Sequence, residues 1–205
     1  MSLTVNEKSS SPIMPIPEGT HLGVCYMLVD LGVQYNEAFK NSSRKVLLGW
    51  EIPGETIETE EGRKNRTITN RYTASLNESS NLRRDLSAWR VRDFTEEELE
   101  EFNLRNILGK SCLLNIIHKT KNGKTFANIQ SIMALPKGMQ QAKRTEEVIA
   151  FDLDESTVED VEQLPKWVAD IVKKSLTYQE MLKAQNQAVG EPQFQELEDD
   201  GELPF

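Results

Sequence analysis

The chain has 205 residues, 38% of them hydrophobic and 28% charged, with a formal net charge of -9, which suits one domain of ordinary size with appendages. No apolar run approaches the roughly 18 residues of a membrane span, and Met1 to Ile16 is polar and Pro-spotted, unlike a secretory signal, so a cytoplasmic protein without membrane partners is expected. Cys25 and Cys112 sit inside apolar strand-like runs, which favours reduced core thiols over a disulfide. The charge is unevenly spread: residues 151–205 carry a net -10 and residues 1–150 a net +1. From Arg105 to Arg144 there are eight basic residues and no acidic one, a local positive field of the kind that attracts phosphates.

Residues 1–17, with Ser9, Ser10 and Ser11, read as a flexible arm. His21 to Leu31 reads as a strand, and Arg44 to Ile52 as a second, with Val46, Leu48, Trp50 and Ile52 alternating onto one face. Pro53-Gly54 is expected to end it, leaving 55–65 as a loop. Arg66 to Leu76 forms a two-faced third strand, with Ile68, Tyr72, Ala74 and Leu76 opposite Thr67, Thr69, Arg71, Thr73 and Ser75. Leu82, Leu86 and Trp89 then recur at helical spacing behind Ser79, Ser80 or Asn81 as cap. Thr95 and Glu98 make a capping-box pattern opening a short helix through Phe102. Strands Ser111 to Lys119 and Lys124 to Met133 flank Asn122-Gly123, a strong hairpin signal.

Three strands, a helix and two strands is the order of an OB-fold, a five-stranded barrel that binds oligonucleotides; an α+β sheet with a helix on one face has the same order. The barrel is expected over 18–138, followed by an acidic linker over 139–163. An amphipathic helix is expected over 164–184, with Pro165 near its first turn and a stripe of Leu164, Trp167, Val168, Ile171, Ser175, Tyr178 and Leu182. Residues 185–205, rich in Gln and Glu without Lys or Arg, read as a disordered acidic tail. The expected class is therefore mainly β, a barrel with helices.

The tail ends Asp199-Asp200-Gly201-Glu202-Leu203-Pro204-Phe205. An apolar terminal anchor can fill a pocket while the acids ahead of it meet a basic rim, and Pro204 lowers the ordering cost. This ending resembles the C-terminal tip of bacterial single-stranded DNA-binding proteins, several aspartates followed by Ile-Pro-Phe, with Glu202 and Leu203 in place of a family Asp and Ile. The strand order, helix and acidic tail together resemble phage-encoded single-stranded DNA-binding replication proteins with an OB-fold. The resemblance implies binding to single strands and recruitment of replication or recombination proteins through Asp199, Asp200, Glu202, Leu203, Pro204 and Phe205. Inside residues 20–135 no close motif carries it.

Within the body, candidate residues come from the chemistry of strand binding, which needs cations that follow phosphates and rings on which bases stack. Lys119, Lys121 and Lys124 surround the hairpin tip, with Phe126 beside them; an exposed turn that blocks edge pairing is the plainer reading. Arg66 and Arg71 lie with Arg63 and Lys64 in an acid-free stretch of the third strand, where Arg71 could pair with phosphate or stack on a base. Trp50 is a further stacking candidate, with Tyr72 and Tyr26, although each shares a face with aliphatics and fits a core better.

No enzyme is indicated, and no cofactor or metal. Gly49 to Thr56 has phosphate-loop spacing with Glu55 in place of the required lysine. Asp152-Leu153-Asp154 resembles a phosphatase motif but leaves no room for an α/β domain after it. His21 and His118 have no ligand-spaced cysteines for zinc. The expected function is therefore coating or protection of single-stranded DNA. An adaptor with a DNA-mimicking tail and a strand-annealing recombination protein stay open as alternatives, as does homo-oligomerisation.

Overall fold

The computed structural model describes residues 14–60 and 62–190. Five long strands form one curled antiparallel sheet: β1 (Gly19–Asn36), β2 (Asn41–Thr59), β3 (Gly62–Thr73), β4 (Ser111–Lys121) and β5 (Lys124–Met133). Their spatial order is β3-β2-β1-β4-β5, and the outer strands β3 and β5 approach each other. That is the partly open five-stranded barrel of an OB-fold. Helix α1 (Asn81–Arg90) lies between β3 and β4 in sequence and packs against β3 and β5, so it plugs the seam that the ladder leaves open. A short helix α2 (Glu96–Glu100) and a 3-10 turn (Leu104–Ile107) lead on to β4.

Alternation builds the core. Cys25, Leu48, Trp50, Ile52, Ile68, Tyr72, Leu114, Ile116 and Ile132 point inward and meet Leu82, Leu86 and Trp89 of α1. A fully buried Leu or Ile contributes roughly 1.5–3 kcal/mol. β1 can serve three neighbours because it bends at irregularities between Cys25 and Met27 and between Asp30 and Val33, as bulges allow. Its first residues pair with β4, and Met27–Val29 pair in parallel with β6 (Ile149–Phe151).

Local chemistry explains the caps and turns. Ser80 caps α1 by accepting from the Arg83 N–H, and Thr95 with Glu98 closes the capping box on α2. Asn122 and Gly123 both take positive φ, 52° and 72°, the type I′ geometry that suits a two-residue hairpin.

Three expectations are corrected. The loop expected over 55–65 is an arm of paired strand, with Thr56 opposite Asn65, Ile57 opposite Lys64 and Glu58 opposite Arg63. Pro53-Gly54 lies at the irregularity between Ile52 and Thr56, where a residue without an N–H is tolerated, so the strand bends there and resumes. The linker expected over 139–163 is built into the fold as a strap, β6 and α3 (Val158–Val161). The single helix expected over 164–184 is two, α4 (Lys166–Val172) and α5 (Leu176–Gly190). The break comes at Ser175, which is buried, and whose hydroxyl accepts from the Tyr178 N–H at 3.1 Å; a residue that fits the apolar stripe serves instead as a cap.

These C-terminal helices cover the outer face of the barrel. Val161, Leu164, Val168, Val172 and Tyr178 form a second apolar cluster with Tyr26, Met27, Val29, Leu31 and Leu47. Gly32 makes the close approach possible: its φ is +68°, and a Cβ there would lie 2.8 Å from both Leu153 Cδ2 and Ser175 Oγ. Among the described residues no helix is long and apolar enough to cross a membrane.

Of the arm expected over 1–17, residues 14–17 are described and docked. Ile16 is buried in the barrel core, its carbonyl oxygen lies 2.8 Å from His118 Nε2, and the Arg66 guanidinium donates to the Met14 carbonyl. The segment thereby ties β4 to the start of β3.

Candidate nucleic-acid interface

Two hairpins offer cations beside exposed rings. In the β4–β5 hairpin, Lys119 stands opposite Phe126, Thr120 opposite Thr125 and Lys121 opposite Lys124. All three lysines are exposed, and Phe126 is 50% exposed. The carboxylate at its base, Glu18, accepts from the His118 N–H at 2.7 Å. Like charges directly opposite each other destabilise a ladder, so the Lys121–Lys124 pair is an arrangement that an added anion would relieve.

The β1–β2 hairpin is the second, and sequence reasoning missed it. Asn36 Oδ1 accepts from the Ala38 and Phe39 N–H groups at 3.0 and 3.3 Å, and Lys40 takes φ 50°, so the chain reverses tightly. Phe39 is left 77% exposed and Tyr35 55% exposed, with Lys40 beside them. The available signal was an aromatic residue within a short polar stretch, Asn36-Glu37-Ala38-Phe39-Lys40-Asn41.

Between the hairpins, β3 turns Thr67, Arg71 and Thr73 outward, all exposed. Arg71 pairs across the ladder with Leu47, which pairs with Val29, whereas Ile116, the β4 residue nearest the hairpin that pairs with β1, lies opposite Gly19. Ten residues of β1 separate these rows, roughly 33 Å along the strand. The structure therefore does not gather Arg71 with Lys119, Lys121 and Lys124; it sets them towards opposite ends of one face.

Other candidates fare differently. Trp50 is corrected from a stacking residue to a core residue: it is fully buried, faces into the barrel and packs on Trp89 at 6.1 Å between ring centroids. Arg66 is half-buried and committed to the Met14 carbonyl. The acid-free stretch of β3 is not acid-free in space, because Arg63 lies opposite Glu58 on β2. Asp199, Asp200, Glu202, Leu203, Pro204 and Phe205 lie outside the described residues.

The strap crosses the middle of the outer face. Its first anchor is Ser111, whose N–H donates to Gln141 Oε1 at 2.8 Å and whose hydroxyl accepts from the Ala142 N–H at 3.0 Å. Its second is Glu51, buried on the outer side of β2. The Glu51 carboxylate accepts from the Thr145 N–H at 2.8 Å, the Thr145 hydroxyl at 2.6 Å and the Glu146 N–H at 3.0 Å. Burial works to raise the pKa of Glu51, but these bonds and one from Asn65 outweigh it and hold the carboxyl below its ordinary range. Among the described residues, the hairpin tips and Thr67, Arg71 and Thr73 of β3 stay exposed beside the strap and helices.

The Asp-Leu-Asp sequence after β6 meets Asp30 of β1. One oxygen each of Asp30, Asp152 and Asp154 lie within 4.8 Å of one another, lining a cavity of about 410 Å³. The Arg44 guanidinium pairs with both Asp30 and Asp154, so the protein supplies its own cation there. Cys25 and Cys112 are buried free thiols, and burial pushes Cys25 up to about 12, which makes it unreactive at neutral pH.

The sequence matches no protein-family model, and none of the curated proteins matches it.

Proposed function

We propose that this protein is a non-enzymatic single-stranded DNA-binding protein that coats or protects the strand during replication or recombination, and that its C-terminal tip recruits partner proteins. The observation that carries the reading is the pairing of Lys119 with Phe126 on the exposed face of a hairpin rising from an OB barrel. A ring for a base and a cation for its phosphate are the two elements of sequence-tolerant strand binding. The β1–β2 hairpin repeats the combination with Phe39, Tyr35 and Lys40 at the far end of β1. A strand laid between the two hairpins would pass Arg71.

Fluorescence titration with a poly-thymidine oligonucleotide at two salt concentrations tests the reading. Affinity should fall with salt along a log–log slope of about -0.7 per phosphate neutralised. Duplex DNA should bind much more weakly, because paired bases hide the faces that Phe126 and Phe39 would meet. Absence of oligonucleotide binding at low salt, or equal affinity for the duplex, overturns it.

A further inference from the structure

We infer that a cavity of about 510 Å³ between the outer side of β2–β3 and the segment leading into α1 is a phosphate subsite, built on Lys45 and Arg71. The inference rests on the single-strand reading for its nucleic-acid ligand, but the cavity's own chemistry is independent of it. Thr73, Ser75, Asn77 and Ser79 complete the wall, and among the described residues no carboxylate lines it. Two cations with several neutral donors and no acid is a composition suited to an anion, and a guanidinium offers a planar fork that fits two phosphate oxygens at once.

Lys45 and Arg71 give the cavity its charge, and Glu78, between wall residues Asn77 and Ser79, is exposed and lines a different cavity. Lys45 Nζ donates to Thr73 Oγ1 at 2.7 Å, which leaves its charge unneutralised. Asp85, the acid beneath the floor, is buried and already bonded: its Oδ2 accepts from the Tyr72 hydroxyl at 2.9 Å and its Oδ1 from Arg84 Nε at 2.9 Å. Arg71 and Lys45 come from adjacent strands, with Lys45 opposite Thr73 and Arg71 opposite Leu47, so the ladder fixes both Cα positions before any ligand arrives. The site lies where β2 leaves the β1–β2 hairpin, on the path from Phe39 towards the β4–β5 hairpin. A backbone phosphodiester and a free phosphate share this chemistry, and the test separates them.

Two measurements on full-length protein suffice, each made on the wild type and on a Lys45→Ala/Arg71→Ala variant shown by thermal unfolding to be folded. One is poly-thymidine affinity against salt; the other is the shift of the amide resonances of residues 75–81 on adding inorganic phosphate. The subsite predicts that the double variant loses roughly tenfold or more in oligonucleotide affinity, and that its salt slope is shallower by about 0.7, the value for one phosphate. The charge-keeping Lys45→Arg variant should retain the slope. If the wild type binds the oligonucleotide and the folded double variant matches it in affinity and slope, the subsite is overturned while the single-strand reading stands. If the wild type binds no oligonucleotide, yet phosphate shifts these amides in it and not in the variant, the subsite is upheld for free phosphate and the single-strand reading fails. No response to either ligand overturns both.

Discussion

Lys119 and Phe126 face each other across the β4–β5 ladder, so one ammonium and one phenyl ring leave the same side of the hairpin. Two residues further out, Lys121 faces Lys124, and the turn between them carries no charge. The triple variant Lys119→Ala/Lys121→Ala/Lys124→Ala should flatten the salt slope by about 2. Lys121→Ala alone separates function from stability, because removing one of two like charges should leave thermal stability unchanged or raise it by a few tenths of a kcal/mol while DNA affinity falls. An unchanged slope in the triple variant would put the site elsewhere.

Exposed rings should matter for binding and not for folding. Phe126→Ala and Phe39→Ala should each weaken single-strand binding by about 1–3 kcal/mol if the ring carries a base, with little change in the unfolding transition, since both side chains are half or more exposed. Trp50→Ala should behave in the opposite sense. It removes a fully buried indole and should destabilise the barrel by about 3–5 kcal/mol. Oligonucleotide titration beside thermal unfolding reads both quantities. A Phe39 variant that binds as the wild type does would confine stacking to the β4–β5 hairpin.

The barrel was readable because its signals are local. Alternation marks Leu48, Trp50 and Ile52, helical spacing marks Leu82, Leu86 and Trp89, and Asn122-Gly123 marks the hairpin. What was misread depends on partners distant in sequence. Pro53-Gly54 signals an end in isolation, yet the opposing strand Gly62–Arg66 carries the ladder past it. Ser175 fits an apolar stripe by spacing, but its hydroxyl caps a new helix. Glu51 sits in an alternating strand as if exposed, and only the approach of Thr145, 94 residues later, makes it a buried anchor. The site divides in the same way. The hairpin lysines follow from the turn, while the charge around Arg63 depends on Glu58 across the sheet.

Glu51 makes the strap sensitive to acid. A carboxyl held below its ordinary range in the folded protein contributes stability that is present above the unfolded value, near 4.3, and is lost as pH falls through the lower folded value. Glu51→Gln should remove that component. The variant should be less stable at pH 7, and the gap to the wild type should narrow as pH drops below about 4. Glu51→Ala, which strands the Thr145 and Glu146 N–H groups, should cost about 3 kcal/mol. Denaturant unfolding across pH 3 to 7 checks the sign; a gap that stays constant with pH would rule out the ionised carboxylate as the anchor.

Helix α1 ends on Val91, which adopts φ 57° and ψ 27° with its N–H bonded to the Ser87 carbonyl. A β-branched residue pays heavily for that left-handed conformation, and glycine does not. The side chain is 77% exposed, so little packing would be lost. Val91→Gly should therefore stabilise the protein by about 1 kcal/mol, seen as a raised unfolding temperature. A decrease would show that Val91 contributes contacts outweighing its backbone strain.

The acidic tail lies outside the described residues, and its charge bears on both proposed roles. Six carboxylates follow residue 185: Glu191, Glu196, Glu198, Asp199, Asp200 and Glu202. They are tethered to the barrel through α5 and therefore act at an effective concentration on the order of millimolar. They should compete with phosphates for Lys119, Lys121, Lys124 and the Lys45–Arg71 cavity. Removing residues 196–205 should strengthen oligonucleotide binding at low salt, and the gain should shrink as salt screens the competition. Removing Phe205 alone leaves all six side-chain acids in place, so it should change DNA affinity little while abolishing partner capture in a pull-down from host lysate. The two deletions thus separate an electrostatic role from recruitment through Leu203, Pro204 and Phe205. A tail kept only for solubility predicts that full-length and Phe205-deleted proteins capture the same partners, and that result would end the recruiting proposal while leaving the DNA-binding one untouched.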